Sequence, residues 1–241
     1  MFKTLRDALK IKDIRTKLLY TFFMLIVVRI GSQIPIPGVN TAYISSYFAN
    51  QLGDEFSFLD AFTGGSFSNM AIFALGINPY ITSSIIMQLL TIAIPKLEEL
   101  QKDGEEGRKK ITEITRYVTI ALALVEGTAM TIGFGSQGLL YTFNFGSVLV
   151  VVLTMTAGSA FLMWAGERIT DKGIGNGISM ILLFNIVARI PSDFVTLYET
   201  FMMNKSVPKA ALAALIILFV IVAVIAMVVL LQGGERRIPV Q

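Results

Sequence analysis

Phe56-Ser-Phe-Leu-Asp-Ala-Phe-Thr-Gly-Gly-Ser-Phe-Ser-Asn-Met70 leads into an apolar run from Ala71 to Ile94. The run is long enough to cross a bilayer. The piece before it is not, and it breaks at Gly64-Gly65. A half-length apolar segment joined to a full span is the pattern of a re-entrant segment folded into a protein cavity. Asn78, Pro79, Thr82, Ser83, Ser84 and Gln88 sit inside the run. A helix facing only lipid does not tolerate so many polar groups, so this one is expected to face something else.

Working outward, the 241 residues are 54% hydrophobic and only 15% charged, whereas soluble domains average about 25% charged. The apolar residues fall in blocks, so the fold class is an all-α polytopic membrane protein. The absence of Cys removes disulfides, thiol redox chemistry and thiolate metal sites. The absence of His removes the usual general base and the commonest metal ligand.

The blocks predict six spans: Leu18–Ile34, Ala71–Ile94, Tyr117–Phe134, Ser147–Ala165, Ile174–Ile190 and Ala210–Leu231. The last is uncharged and gives about 33 Å of helix at ~1.5 Å per residue. Ahead of the first, residues 1–17 carry six basic groups, with Phe2, Leu5 and Leu9 on one helical face. They read as an amphipathic helix on the membrane surface, or as a solvated basic tail. The first span is not a cleavable signal, because Pro35-Ile-Pro-Gly38 follows it and no small-x-small site does. Residues 96–116 read as a charged loop and 191–209 as a polar loop. Trp164 closes the fourth span at an expected interface.

Sixteen of the twenty Lys and Arg residues fall in the N-terminus, the 95–117 loop, the 166–177 loop and the C-terminus. Lys205 and Lys209 alone lie on the opposite side, while Arg29 and Arg189 lie within or beside spans. This bias predicts both termini in the cytoplasm, with the Phe56–Asn69 segment entering from outside.

Ile81 and Ile85, four apart, stack on one helical face, and Ile178 and Leu182 repeat the spacing in the fifth span. Such pairs can meet at an apolar constriction that excludes water and ions, although periodicity alone favours ordinary helix packing. Gly173-Ile-Gly-Asn-Gly177 lacks the strand and the Lys-Ser/Thr pair of a phosphate loop and reads as a tight turn into a helix. Glu126, a carboxylate inside a span, is a candidate functional group, expected to pair with a neighbouring amide or hydroxyl. Arg29 is expected to snorkel or to pair with a carboxylate. The carboxylates of the 96–116 loop read as a solvated face rather than a metal site.

Four long motifs carry a resemblance. Arg29-Ile-Gly-Ser-Gln-Ile-Pro-Ile-Pro-Gly38, Phe73-Ala-Leu-Gly-Ile-Asn-Pro-Tyr-Ile-Thr-Ser-Ser-Ile-Ile-Met-Gln88, Glu105-Glu-Gly-Arg-Lys-Lys-Ile111 and Trp164-Ala-Gly-Glu-Arg-Ile-Thr-Asp-Lys-Gly-Ile-Gly-Asn-Gly-Ile-Ser179 resemble the SecY family, in family order and from end to end of the chain. These are channel subunits of the bacterial protein translocase. The resemblance implies a helical bundle with a re-entrant plug at about residues 56–69, including Phe58, Leu59, Phe62, Gly64, Gly65 and Phe67. It implies a pore ring of Ile81, Ile85, Ile178 and Leu182, the last at a position commonly Ile in the family. Gln88 and Glu126 would lie on the lateral-gate side. Arg236 and Arg237, in the cytoplasmic docking loop that begins with residues 232–241, would meet the ribosome or the SecA ATPase.

The implied partners are also SecE and SecG, signal sequences, translocating polypeptides and lipid, in the bacterial inner membrane. No cofactor and no catalysis are implied. The family has ten spans in two inverted halves, so residues 18–190 correspond to a first five-helix half, 191–209 to an external loop and 210–231 to a sixth helix. The chain is then expected to be the N-terminal part of a longer protein. The reading from another class is a secondary transporter with a solute site at Glu126, Asn78 or Gln88. An intramembrane enzyme built on Ser83 or Ser84 is disfavoured by the missing His, Cys and HExxH pair.

Overall fold

The computed structural model describes residues 11–47, 60–201, 203 and 207–234. Its helices are α1 (Lys12–Gly31), α2 (Thr41–Tyr47), α3 (Asn78–Ala93), α4 (Pro95–Lys102), α5 (Gly104–Phe134), α6 (Phe145–Lys172), α7 (Gly177–Phe201) and α8 (Val207–Gln232). A π-helical turn, Gly135–Leu139, closes α5. The fold is all-α, as the composition requires, but several boundaries differ from the sequence reading.

Ala71–Ile94 is not one helix. Residues 71–77 are turns, and α3 starts only at Asn78. Pro79 sits in the first turn of α3, where its missing N–H is no loss. The charged stretch 96–116 is helical rather than a loop: α4 opens on Pro95 and carries a Glu98–Lys102 pair one turn apart. α3 and α4 are bent by 101° at the break. α7 runs through Pro191 to Phe201, where a polar loop was expected. Proline inside a membrane helix is tolerated because neighbours satisfy the freed carbonyl. Residues 12–17 are the first turns of α1, and residues 1–10 lie outside the described ones.

Four described helices are long and apolar enough to cross a membrane: Gly104–Leu139, Phe145–Lys172, Gly177–Phe201 and Ala211–Gln232. The bent α3–α4 pair makes a fifth if it is one span. α1, expected as the first of six, is a 20-residue helix but is not among these, because it is rich in charge: Lys12, Asp13, Arg15 and Lys17 occupy its first turns and Arg29 its last.

The chain divides into two compact units, Met1–Arg189 and Ile190–Gln241. In the second, no described side chain of α8 is buried, so its apolar side chains wait for lipid or protein. In the first, α5 packs on α3, α4 and α6, and α1 packs on α6. The buried stripe of α5 is Thr115, Thr119, Ala123, Gly127 and Thr131, all small and four apart. Small residues at this spacing let helix backbones approach when no water drives them together. The threonines return their hydroxyls to carbonyls one turn back, as Thr119 Oγ1 does to Thr115 at 2.7 Å.

The irregular stretch 34–40 ties its neighbours together through two isolated β-bridges, Pro35 with Ala71 and Val39 with Leu140. Ile36 N donates to the Met70 carbonyl at 2.9 Å and Ile72 N to the Ile34 carbonyl at 2.9 Å. Asn40 N donates to Leu139 and Tyr141 N to Gly38 on the other side. The two prolines have no N–H to leave unpaired, which suits a short extended piece of this kind. Around it Ile36, Val39, Ile44, Met70, Leu75, Leu139, Val151 and Met155 form one core. A second core, of Met24, Leu25, Val28, Phe73, Ile77, Leu162, Ile169 and Ile181, joins α1, α6 and α7.

Gly158 of α6 is where the turn before α3 comes closest: a Cβ there would run into the Ile72 carbonyl oxygen. Backbone is on the other side, so nothing flexible can yield. Gly158→Ala is expected to destabilise the folded protein by about 1–3 kcal/mol. Gly133→Ala, which meets nothing within 4 Å, is expected to be neutral or to stabilise by about 0.5–1 kcal/mol. Thermal unfolding of the two variants in detergent, followed by circular dichroism, measures the contrast.

Candidate functional site

The start of α3 carries Pro79 in its first turn and no side-chain cap, whereas the start of α7, which places Ile178 and Leu182, is fixed by local capping. At α7, Asn176 Oδ1 accepts from the N–H groups of Ile178 and Ser179 at 3.0 and 3.3 Å. Thr170 Oγ1 accepts from Gly177 N at 2.9 Å, and Thr21 Oγ1 of α1 accepts from Ile174 N at 3.1 Å. The glycine-rich run is thus a turn into a helix. Gly177 lies against the Gly166 carbonyl with no room for a Cβ, so α6 and α7 meet backbone to backbone at Ile178.

Ile81, Ile178 and Leu182 all pack, half-buried, against the second core. Ile85, one turn further along α3, is 52% exposed. Ile81, Ile85 and Ile178 line a cavity of about 420 Å³ whose rim is polar: Tyr80, Ser84, Thr112, Arg116 and Glu167. Arg116 of α5 donates through Nε to Glu167 of α6 at 2.9 Å and ties the two helices beside that cavity. Ile81 also lines a second cavity, about 520 Å³, together with Phe62, Thr63, Phe67, Leu75, Asn78, Thr82 and Glu126. One apolar side chain therefore borders both spaces.

Residues 60–63 form a helical turn and 64–70 a series of tight turns. The break predicted at Gly64-Gly65 is present, with φ of 66° and 88°. This segment is not on the surface: Asp60, Thr63, Gly64, Ser66 and Met70 are buried, and Phe62, Gly65 and Phe67 are half-buried. Phe58 and Leu59 lie outside the described residues, as do Arg236 and Arg237.

Polar contacts hold the segment. Asp60 accepts from Ser68 N at 2.9 Å, from Ser68 Oγ at 2.8 Å and from the Arg189 guanidinium. Arg29 Nη1 donates to the Gly64 carbonyl at 2.7 Å, so its partner is a backbone oxygen rather than the expected carboxylate. Asn185 Nδ2 donates to the Phe62 carbonyl at 3.1 Å. Sequence reasoning missed Asp60, Asn185 and Arg189 as a group. The signal was available: Arg29 and Arg189 are the two cations in or beside spans, and Asp60 is the single carboxylate in the Phe56–Met70 stretch.

Glu126 is half-buried and, among the described residues, makes no hydrogen bond or ion pair; the expected pairing is corrected. Gln88 is exposed and lines a third cavity with Thr91, Gln101, Arg108 and Thr112. Of the residues named for the transporter reading, Glu126 and Asn78 line one cavity and Gln88 another.

Comparison with known proteins agrees with this geometry. The SecY family model matches residues 71–241. The chain is 43% identical to the protein translocase subunit SecY of Pseudomonas aeruginosa over 230 residues, 95% of this chain and 51% of that protein. It is 42% identical to the protein of the same name from Halalkalibacterium halodurans, over 100% of this chain and 56% of that one. The chain spans about half the length of these curated relatives. Among solved structures, its fold resembles Sec61 in the canine ribosome–channel complex from the endoplasmic reticulum, with a TM-score of 0.58 and 22% identity over 94% of this chain and 50% of that one. It also resembles a protein-conducting channel, with a TM-score of 0.52 and 23% identity over 78% of this chain and 38% of that one. With the family model covering well over half of its length, the chain belongs to the SecY family.

Proposed function

We propose that this chain forms the N-terminal part of the pore of a protein-conducting channel, one that passes secretory polypeptides across a membrane and releases apolar segments into it. The position of Ile81, between a polar-rimmed cavity on one side and the seat of residues 60–70 on the other, carries this reading. Ile81, Ile85, Ile178 and Leu182 supply this chain's share of an apolar waist. Such a waist resists water by dewetting and offers no fixed hydrogen bonds to retain a passing peptide. Residues 60–70 act as a plug on one side of it. Gln88 and Glu126 stand on the side that opens to lipid.

The chain does no bond chemistry in this reading. Driving energy comes from partners: the ribosome, for which the Sec61 relative is a solved precedent, or the SecA ATPase, with Arg236 and Arg237 in the docking segment. SecE and SecG are the accessory subunits, and signal sequences are the ligands of the open state. The membrane is the bacterial inner membrane, with the termini of this chain in the cytoplasm.

Two measurements test the reading. In the whole protein, of which this chain matches about half, the double variant Ile81→Gly, Ile85→Gly is expected to raise resting ion conductance in planar bilayers several-fold. Unchanged conductance would remove these residues from the waist. The topology is tested separately, using the absence of native cysteine. Cysteine placed at Tyr141, which is 71% exposed, is expected to react with an impermeant maleimide added outside intact cells. Cysteine at Lys109 is expected to react only after the cells are opened, and the reverse pattern would invert the assigned orientation.

A further inference from the structure

The contacts around residues 60–70 have a consistent physical character. The segment's two phenylalanines, Phe62 and Phe67, are half-buried and line a cavity of about 520 Å³, while Met70 at its end sits in the first core. Polar side chains reach the segment from two helices. Arg29 at the end of α1 holds the Gly64 carbonyl. Asn185 and Arg189, one turn apart on α7, hold the Phe62 carbonyl and the Asp60 carboxylate. Residues four apart share a helical face, so α7 presents both groups to the segment together. Two buried atoms at the same place, Ser66 Oγ and Asn185 Oδ1, have no hydrogen-bond partner. Unsatisfied buried polar atoms oppose the seated arrangement. Away from Met70, which is packed in the first core, the seat is therefore a balance between a few strong polar contacts and a desolvation cost.

We propose that Arg189 is a positioning residue. Its ion pair with Asp60, backed by Arg29 on the Gly64 carbonyl, is a releasable latch that keeps residues 60–70 seated between α1 and α7. Asp60 is buried while Arg189 keeps part of its side chain in contact with the exterior. Removing the cation leaves a buried carboxylate to which, among the described residues, Ser68 and Thr63 donate. A charge left in that state is strongly unfavourable, and the segment relieves it by leaving its seat. A chain that parts α1 from α7 would separate the same groups. The proposal rests on the channel reading only for what unseating achieves, which is to open one side of the waist.

The test uses the chain in membranes with single introduced cysteines, since it has none of its own. Ser66→Cys is buried in the seat, Ser83→Cys is buried in α3 away from it, and Asn69→Cys is exposed and reports on reagent access. With Arg189→Gln or Asp60→Asn, the rate of maleimide labelling at the Ser66→Cys position is expected to rise about tenfold or more, as loss of one partner of a buried pair implies. Labelling at the Ser83→Cys position is expected to stay unchanged. Arg189→Lys, which keeps the charge, is expected to hold the rate within about twofold of the parent. An unchanged rate at Ser66→Cys in both charge-removing variants overturns the latch. So does an equal rise at Ser83→Cys, which would mean general loosening, and so does a failure of Arg189→Lys to restore protection. Labelling decides the latch and conductance of the Ile81, Ile85 variant decides the waist, so either can fail alone.

Discussion

Backbone groups that leave a helix inside a membrane protein must find partners within the protein, and residues 60–77 live under that constraint. Lipid supplies no hydrogen bonds, and each orphaned group costs several kcal/mol, about 2–7 by transfer measurements. The segment meets it through other parts of the chain. Met70 accepts from Ile36, Ile72 donates to Ile34, Gly64 accepts from Arg29, Phe62 from Asn185, and the Gly76 carbonyl from Ser159 Oγ at 3.2 Å. These bonds come from α1, the extended stretch 34–38, α6 and α7. Each of those elements must be in place before the irregular stretch is satisfied, so the segment and its surroundings form together.

The same constraint explains the small residues. Gly158, Gly166 and Gly177 allow backbone to touch backbone where a side chain would hold the helices apart. The Thr and Gly stripe of α5 does this along its whole length. Van der Waals contact at short range, with threonine hydroxyls returned to their own helix, replaces the hydrophobic drive that water would supply. Ile178 arrives beside the cavity because two glycines let α6 and α7 close on it, and not because of any attraction of its own.

Much of this was readable before any coordinates. Block hydropathy gave the helical class, and Gly64-Gly65 gave the break, because glycine alone enters positive φ without strain. The Gly173–Gly177 turn followed from its lack of a phosphate-binding context. What was not readable has a shared cause: hydropathy counts residues one at a time, whereas these features depend on pairs. The helices of 95–116 rest on one-turn charge pairing and a proline start, which a loop of mixed charge conceals. The extension of α7 past Pro191 was hidden because proline reads as a stop, although membrane helices accept one. The Asp60–Arg189 pair joins positions 129 residues apart, and no local period reports such a distance. Helix boundaries of α1 moved because charges were excluded from the predicted span, although a helix can carry charges at its ends.

α3 shows the last consequence. Its buried positions are Pro79, Ser83, Met87 and Thr91, while Ile85, Leu89 and Ile92 are exposed. In a soluble helix this pattern would be inside out, since the apolar stripe would face water. Ser83 avoids an orphaned hydroxyl by bonding the Pro79 carbonyl at 2.6 Å, and Thr91 bonds the Gln88 carbonyl at 2.7 Å, so the buried polar face costs little. The exposed face has no such remedy against water. It is stable only against lipid or further apolar helices, and relatives about twice as long as this chain have more polypeptide with which to cover it. A surface that accepts either cover at similar free energy is one where a boundary between protein and lipid can move, because lipid tails and leucine are equally apolar.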